Sequence, residues 1–165
     1  MQQWARVDVL VCNAGLLRDK SFARMDMADF DRVVAVHLGG SANCCHAVWE
    51  IMRAQGYGRI LLTTSTSGLF GNFGQANYGA AKAAMLGLMN VLHIEGAKHG
   101  IRVNCLAPTA ATAMTEGLVP DADLALLDPD TVSPAMLFLS STDAPSRVVM
   151  GAGAGWLEPE FAALG

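Results

Sequence analysis

Four short apolar runs, separated by longer segments with a helical pattern, constrain the fold of this chain most strongly. They cover residues 7–12, 59–64, 101–107 and 148–150. The first run is rich in β-branched residues and is continuous rather than alternating, which is typical of a strand covered on both faces in a parallel sheet. Strands that alternate with helices are joined by right-handed crossovers, which place helices on both faces of the sheet. The sequence therefore predicts an α/β fold with three layers, αβα, around a doubly wound parallel sheet.

Two long helices are predicted between these strands. The first begins at Asp26 or Asp29, either of which can cap it, and runs toward Gly56, which suits the position just after a helix C-terminus. The second covers about residues 77–99, and a shorter helix follows at residues 131–141. Each long helix therefore connects one predicted strand to the next.

Composition excludes several classes of partner. The formal charge is −4 and the basic residues are scattered singly, so the chain offers no basic stripe to nucleic acid or to an anionic membrane. No apolar run approaches the ~20 residues of a membrane span, and the first four residues do not resemble a signal peptide. We expect a cytoplasmic protein that forms one domain over residues 1–165.

The cysteines and histidines lack the spacing of a metal site. Cys12, Cys44, Cys45 and Cys105 contain no C-x-x-C pair, and adjacent cysteines seldom bridge each other. We therefore expect neither a disulfide framework nor a bound metal, and interpret the four cysteines as small buried residues.

Polar or glycine-containing clusters follow three of the predicted strands. Asn13, Ala14 and Gly15 come after the first strand, Ser65 after the second, and residues 108–112 after the third. Parallel strands end at the same edge of the sheet, and in open α/β sheets ligands bind outside those carboxyl ends. The three clusters together predict a binding site at this edge.

Ser65, Tyr78 and Lys82 have the chemistry for proton transfer coupled to hydride transfer. Tyr78 and Lys82 are four residues apart and lie on one helical face, while Ser65 is thirteen residues upstream of Tyr78. A tyrosine hydroxyl titrates near pH ~10, so a fixed cation is needed to stabilise its phenolate. A Tyr and a Lys at this spacing are usually only a helix-surface pair, but Ser65 and Asn13 favour a catalytic site.

A family resemblance is carried by the turn at residues 13–15, by the spacing of Ser65, Tyr78 and Lys82, and by residues 100–104 leading to Pro108. These features resemble the short-chain dehydrogenase/reductase family over almost the whole chain, which implies a Rossmann-like fold. Within the family, the chain is similar to the hydroxyacyl-CoA dehydrogenase branch found in peroxisomal multifunctional enzyme type 2 and its bacterial relatives. The segments that carry this closer similarity are residues 17–25, 36–41, 57–60, 71–78 and 153–156.

The resemblance implies a role for each site residue and a cofactor, NAD or NADP. Tyr78 is expected to exchange a proton with the substrate oxygen, which Ser65 holds. Lys82 is expected to lower the pKa of Tyr78 and to bind the nicotinamide ribose. The remaining residues expected to contact the cofactor are Asn13, Ala14, Gly15, Tyr78, Pro108, Ala111 and Thr112.

His37 occupies a position where most of the family has asparagine, whose backbone carbonyl holds a water of a proton relay. A histidine keeps that backbone role, so the resemblance makes His37 a candidate catalytic residue. The alternative is that His37 is simply a hydrogen-bonded helix residue, because a backbone function leaves its side chain free.

The resemblance also implies that part of the fold is missing. Family members begin with a strand, a Gly-rich turn of the form G-x-x-x-G-x-G and a helix, yet only twelve residues precede Asn13. We therefore expect an N-terminally truncated domain without these cofactor-binding units, and an exposed apolar edge at residues 7–11. The chain is then a fragment or mis-started frame of an enzyme, a half completed by another chain, or a relative without turnover.

Two function classes follow. The first is an NAD(P)-dependent oxidoreductase that interconverts a secondary alcohol and a ketone in a small-molecule substrate, by analogy a 3-hydroxyacyl-CoA. The second is a catalytically inactive or partner-dependent structural subunit. Small residues along the helix of Tyr78, together with the family's helix pairing and the 52% hydrophobic composition, predict a homodimer or homotetramer.

Overall fold

Five strands form one sheet in the order in which they occur in the chain. The computed structural model describes residues 5–110, 127–153 and 156–158. The strands are β1 (Val9–Cys12), β2 (Gly58–Thr63), β3 (Ile101–Pro108), β4 (Val149–Gly153) and β5 (Trp156–Glu158). The first four pair in parallel, and β5 runs antiparallel to β4. The parallel α/β sheet is confirmed, whereas β5 was not expected because glycines dominate the segment that precedes it.

Helices connect the strands and cover both faces of the sheet. They are α1 (Met27–Val34), α2 (Gly40–Gln55), α3 (Thr66–Phe70), α4 (Ala76–Gly96) and α5 (Ser133–Ser140). The first long helix begins as predicted, since the Asp26 carboxylate accepts a hydrogen bond from the Ala28 amide at 2.9 Å. None of the helices in the described part of the chain is long and apolar enough to cross a membrane.

A π-helical turn, Ala35–Gly39, joins α1 to α2 within the segment that the sequence predicted as one long helix. Such a turn inserts an extra residue into the helix and often occurs at functional sites. Its central residue is His37, whose side chain is buried. His37 therefore lies buried at the centre of the widened turn.

Gly100 fixes the start of β3 against the start of β2. Its φ of +68° is a left-handed conformation that glycine adopts without strain. A Cβ on Gly100 would lie 2.4 Å from the carbonyl oxygen of Gly56, so the two loops could not approach as they do. Gly58 and Ile101 are consequently paired, which sets the register of the two central strands.

The core has two layers of apolar packing, one on each face of the sheet. On one face α2 and α4 cover the strands, and on the other α5 packs on β2, β3 and β4. These layers confirm the predicted three-layer arrangement. Residues that carry the first layer include Met52, Ile60, Leu62, Met85 and Val103, and those that carry the second include Leu61, Leu106, Leu139 and Met150.

The edge strand β1 is covered on one face only. Leu10 and Cys12 pack against the layer formed by α2 and α4, whereas Val9 and Val11 point to the opposite face and are 41% and 38% exposed. Among the described residues, β1 pairs with β2 alone. The expected exposed apolar edge is therefore present.

We expect Val11→Lys to reduce self-association of the chain, because a charge on an open edge opposes pairing with a second strand. The free energy of unfolding should change by less than about 0.5 kcal/mol, since Val11 packs little. Leu10→Lys, on the covered face, should instead destabilise by about 2 kcal/mol or more. Light scattering and urea denaturation measure both effects, and equal destabilisation by the two variants would contradict the one-sided cover.

Candidate active site

The ends of β1 and β2 are joined by side chains at the predicted edge of the sheet. The Thr63 hydroxyl, at the end of β2, donates a 2.9 Å hydrogen bond to the amide oxygen of Asn13, just beyond β1. The carbonyl oxygen of Thr63 accepts a 2.7 Å hydrogen bond from the ammonium of Lys82 on α4. Thr63 thus connects two residues predicted to contact the cofactor, although the sequence assigned it only to a strand.

Ser65, Tyr78 and Lys82 converge as predicted. Ser65 caps α3, with its hydroxyl oxygen accepting from the amide of Ser67 at 3.2 Å, and its side chain lies close enough to the Tyr78 hydroxyl to lower the pKa of that group. Tyr78 lies in the first turn of α4, and the Lys82 nitrogen lies 5.5 Å from the centroid of the Tyr78 ring. Serine and tyrosine hydroxyls that lie close together, with a cation beside the tyrosine ring, form an arrangement able to hold and protonate a carbonyl oxygen.

The pKa of Tyr78 lies above its usual value. Burial of the hydroxyl is the main cause, the negative charge of Asp19 adds to it, and the nearby Ser65 side chain opposes it. We expected Lys82 to lower this pKa, but the net shift in the structure is upward because burial of the hydroxyl outweighs the influences that lower it. Tyr78 is therefore protonated at neutral pH.

Lys82 is a buried cation with little compensation. Burial lowers its pKa to about 8. Within the described residues, the Thr63 carbonyl is the one hydrogen-bond acceptor that its ammonium reaches, although an ammonium has three donors. Lys82 consequently keeps donors for hydroxyl groups of a bound molecule.

The His37 side chain holds the loop that follows β1. Its Nε2 lies 2.9 Å from the carbonyl oxygen and 3.1 Å from the amide nitrogen of Leu16. The ring also meets the Tyr78 ring edge to face, with centroids 5.2 Å apart. Its Nδ1 has no hydrogen-bond partner among the described residues. His37 thus contacts both Leu16, in the loop that carries Asn13, and the Tyr78 ring.

His37 is neutral at neutral pH. Burial lowers its pKa, the charge of Lys82 adds to that effect, and the Leu16 carbonyl opposes it. Its backbone carbonyl, the group expected to hold a relay water, accepts a 2.7 Å hydrogen bond from the Ser41 hydroxyl. The side chain has a structural function of its own, which the sequence reasoning had left open.

Gly15 is needed because the His37 ring lies directly against it. A Cβ at Gly15 would lie 2.3 Å from Cε1 of His37. The exposed Asn13 and Ala14 precede it in the loop after β1, as predicted. The glycine therefore allows the loop to pass over the imidazole.

A polar network fixes the loop between α3 and α4. The Gln75 side chain donates to the Asp19 carboxylate at 2.7 Å and accepts from the Ser67 hydroxyl at 2.8 Å. The Asn77 amide donates to the carbonyl of Arg18 at 2.9 Å. Gln75 and Asn77 are buried and were missed as supporting residues, because their bonds cross more than fifty residues of sequence and no local pattern predicts them.

The third predicted cluster is only partly described. Pro108 is the last residue of β3, one position beyond the predicted end of the strand, and the Thr109 amide donates to the Ala152 carbonyl at 2.8 Å. Ala111 and Thr112 lie outside the described residues. Pro108 therefore reaches the same edge as Asn13 and Ser65.

The residues at this edge fit the nicotinamide ribose end of a dinucleotide. The observation that supports the fit is the buried ammonium of Lys82, which has donors to spare and lies beside an exposed Asn13 amide. Hydroxyl oxygens of a ribose would accept from Lys82, and Tyr78 lies one helical turn away. Within the described residues, no group of three or more His, Cys, Asp or Glu side chains is arranged to hold a metal ion.

We expect Gly15→Ala to destabilise the fold by about 1 to 3 kcal/mol, because its Cβ would overlap the buried His37 ring. In a His37→Ala background the same change should leave the free energy of unfolding almost unchanged, since the imidazole ring is absent. Urea denaturation of the four proteins measures this coupling. Gly40→Ala, where a Cβ meets open space, is the matched control. Equal costs of Gly15→Ala in both backgrounds would contradict the contact.

Lys82→Met should stabilise the fold by about 1 to 3 kcal/mol at pH 7, because the buried charge is costly. The folded-state pKa of about 8 lies below the usual 10.5, so the unfolded chain binds more protons between these values. The free energy of unfolding of the wild type should therefore rise relative to that of the variant as pH rises from 8 to 10.5. Urea denaturation at several pH values tests this, and a constant difference would be inconsistent with it.

Comparison with known proteins agrees with this geometry. The peroxisomal multifunctional enzyme type 2 of Mus musculus is 46% identical over 158 residues, which cover 95% of this chain and 22% of that protein. The acetoacetyl-CoA reductase of Allochromatium vinosum is 37% identical over 87% of this chain and 62% of its own length. A crystal structure of a short chain dehydrogenase from Mycobacterium avium superposes with a TM-score of 0.83 at 34% identity, over 99% of this chain and 58% of that one.

The chain spans less than two thirds of the length of each of these relatives. A family profile described as short chain dehydrogenase matches residues 1–123. The match includes all of the residues that form the Ser65, Tyr78 and Lys82 site. This chain therefore belongs to the short-chain dehydrogenase/reductase family of enzymes.

Proposed function

We propose that the chain carries the proton-transfer apparatus of an NAD- or NADP-dependent oxidoreductase that interconverts a secondary alcohol and a ketone. The observation that supports this is the convergence of Ser65 and Tyr78 with the buried Lys82 beside the Tyr78 ring. The substrate class that we propose is a 3-hydroxyacyl-CoA. Its support is the names of two relatives, a reductase of acetoacetyl-CoA and a multifunctional enzyme.

In the direction of reduction, the ketone oxygen would lie between the hydroxyls of Ser65 and Tyr78. The nicotinamide cofactor supplies the hydride when bound. Tyr78 donates its proton to the oxygen as negative charge develops there, and Ser65 keeps the oxygen in place. The raised pKa of Tyr78 suits this direction, because the hydroxyl is protonated at neutral pH.

Lys82 and His37 support this step without contacting the substrate oxygen. The positive charge of Lys82 favours the phenolate that remains on Tyr78 after proton transfer, and its spare donors bind ribose hydroxyls. His37 holds both the Tyr78 ring and the loop of Asn13. The two groups thereby fix the distance between the proton donor and the cofactor loop.

The second candidate function is that of a subunit that converts a substrate only when it is bound to a partner chain. The exposed Val9 and Val11 on the edge strand favour it.

We also propose that copies of the chain associate through the exposed small and apolar face of α4. Light scattering measures this association. The residues on this face are Ala80, Ala83, Gly87, Val91 and Ile94.

We propose the cytoplasm as the location of the chain. Cys12, Cys44, Cys45 and Cys105 are all free, which supports a reducing compartment. The names of several relatives place those proteins in the peroxisome, and that organelle is the alternative. Fluorescence microscopy of the tagged protein in its host distinguishes the two.

Tyr78→Phe tests the proposed function. With acetoacetyl-CoA and NADH or NADPH, turnover should fall at least about 100-fold, while cofactor affinity changes little. Tyr57→Phe, which alters the other tyrosine of the chain, should retain activity. In the direction of oxidation the wild-type rate should rise with pH, because the reaction needs the phenolate and the pKa of Tyr78 is raised. Turnover that is unaffected by Tyr78→Phe would refute the proposal.

A further inference from the structure

Aromatic side chains lie exposed beside the candidate active site. Phe73 is 90% exposed and Phe22 is 72% exposed. Phe73 belongs to the loop that connects the helix capped by Ser65 to the helix of Tyr78. Large apolar side chains that are this exposed next to reacting groups indicate a surface that a ligand or partner covers.

The backbones that carry these two rings are fixed to each other. The Lys20 amide donates to the Gly74 carbonyl at 2.9 Å, one residue after Phe73. The Gln75 side chain reaches the Asp19 carboxylate at 2.7 Å. Gly74 has a φ of +80°, which lets the loop turn against Lys20. Phe22 and Phe73 therefore stand on two neighbouring segments that hydrogen bonds hold in place.

Two cations on the same segments are available to an anion. Lys20 and Arg24 are exposed and form no ion pair within the described residues. Arg18 differs, since it lies 3.7 Å from the Asp29 carboxylate. The Asp19 carboxylate next to Lys20 accepts from the Gln75 side chain, so Lys20 and Arg24 keep their own donors for an anion. Positive charge next to exposed rings is complementary to a phosphorylated aromatic ligand.

We propose that Lys20, Phe22, Arg24 and Phe73 form a binding surface for the nucleotide end of coenzyme A. The inference rests on the proposed function, because it names where the carrier of the acyl group binds. The phosphates of CoA would accept hydrogen bonds from Lys20 and Arg24, and its adenine would pack on the aromatic rings. The pantetheine arm would then lead along the loop of Phe73 toward Ser65 and Tyr78.

Adenine and phosphates also occur in the nicotinamide cofactor, so the source must be distinguished. The position of Phe73 favours CoA, since its loop joins the two helices that carry Ser65 and Tyr78, the groups proposed to hold the substrate oxygen. The residues that fit the ribose of the cofactor are instead Asn13 and Lys82, at the strand ends. The two ligands thus have different sets of protein contacts.

Calorimetric titration in reducing buffer tests the inference without requiring turnover. The ligands are CoA, pantetheine, NADH and NADPH, and the proteins are wild type, K20Q/R24Q, F73A, F73Y and K98Q. K20Q/R24Q should weaken CoA binding about 10-fold and F73A about 5-fold. High salt should change the loss caused by F73A less than the loss caused by K20Q/R24Q, because salt screens interactions between charges. F73Y should bind like wild type, because it keeps the ring. Lys98 lies after α4 at the opposite edge of the sheet, so K98Q controls for loss of charge alone.

Several outcomes would overturn the inference. The first is a wild type that does not bind CoA, and the second is a CoA affinity that K20Q/R24Q and F73A leave unchanged. The third is a loss of CoA affinity in K98Q equal to that in K20Q/R24Q. The fourth is a loss of affinity in the variants that is confined to NADH or NADPH. Turnover of acetoacetyl-CoA and of its N-acetylcysteamine thioester tests the proposed function separately. If neither thioester is reduced, the proposed function fails while CoA binding is still measured. If both are reduced and K20Q/R24Q raises KM only for the CoA thioester, the inference is supported.

Discussion

The hydrogen bond from the Lys82 ammonium to the Thr63 carbonyl is the interaction on which the site depends. It joins α4, the helix of Tyr78, to the end of β2, and through the Thr63 hydroxyl it also fixes Asn13 beyond β1. A buried cation is expensive, and its pKa is lowered accordingly. The fold therefore accepts a stability cost in order to place a charge beside Tyr78. Such a trade between stability and function is common where a site must be prepared before its ligand arrives.

The sequence was sufficient for the sheet, the main helices and the converging Ser65, Tyr78 and Lys82, because strand ends in a parallel sheet and residues four apart in a helix have fixed geometry. It was insufficient for Thr63, Gln75 and the ring of His37. Their functions arise from contacts between segments far apart in the chain, and one-dimensional spacing contains no information on such contacts. The small helix α3 and strand β5 were missed because serine and glycine dominate their surroundings.

His37 and Gly15 illustrate how two substitutions can depend on each other. The imidazole fills the space that a Cβ at residue 15 would occupy, and it bonds to the neighbouring Leu16. The π-helical turn around His37 makes room for the larger ring within a helix that otherwise packs normally. The loop, the ring and the helix irregularity therefore form one unit, in which no part can be changed without adjusting the others.

The one-sided cover of β1 has a consequence for ligand affinity. Asn13 is attached to an edge strand that is covered on one face only, so opening of β1 from the sheet is a local unfolding event that separates Asn13 from Thr63. Only molecules in which β1 is paired with β2 present Asn13 together with Thr63 at the carboxyl edge of the sheet. The apparent affinity for a ligand at this edge is therefore proportional to the fraction of molecules in that state. Anything that covers Val9 and Val11 would thus tighten the binding of a ligand at this edge from a distance, without touching the ligand.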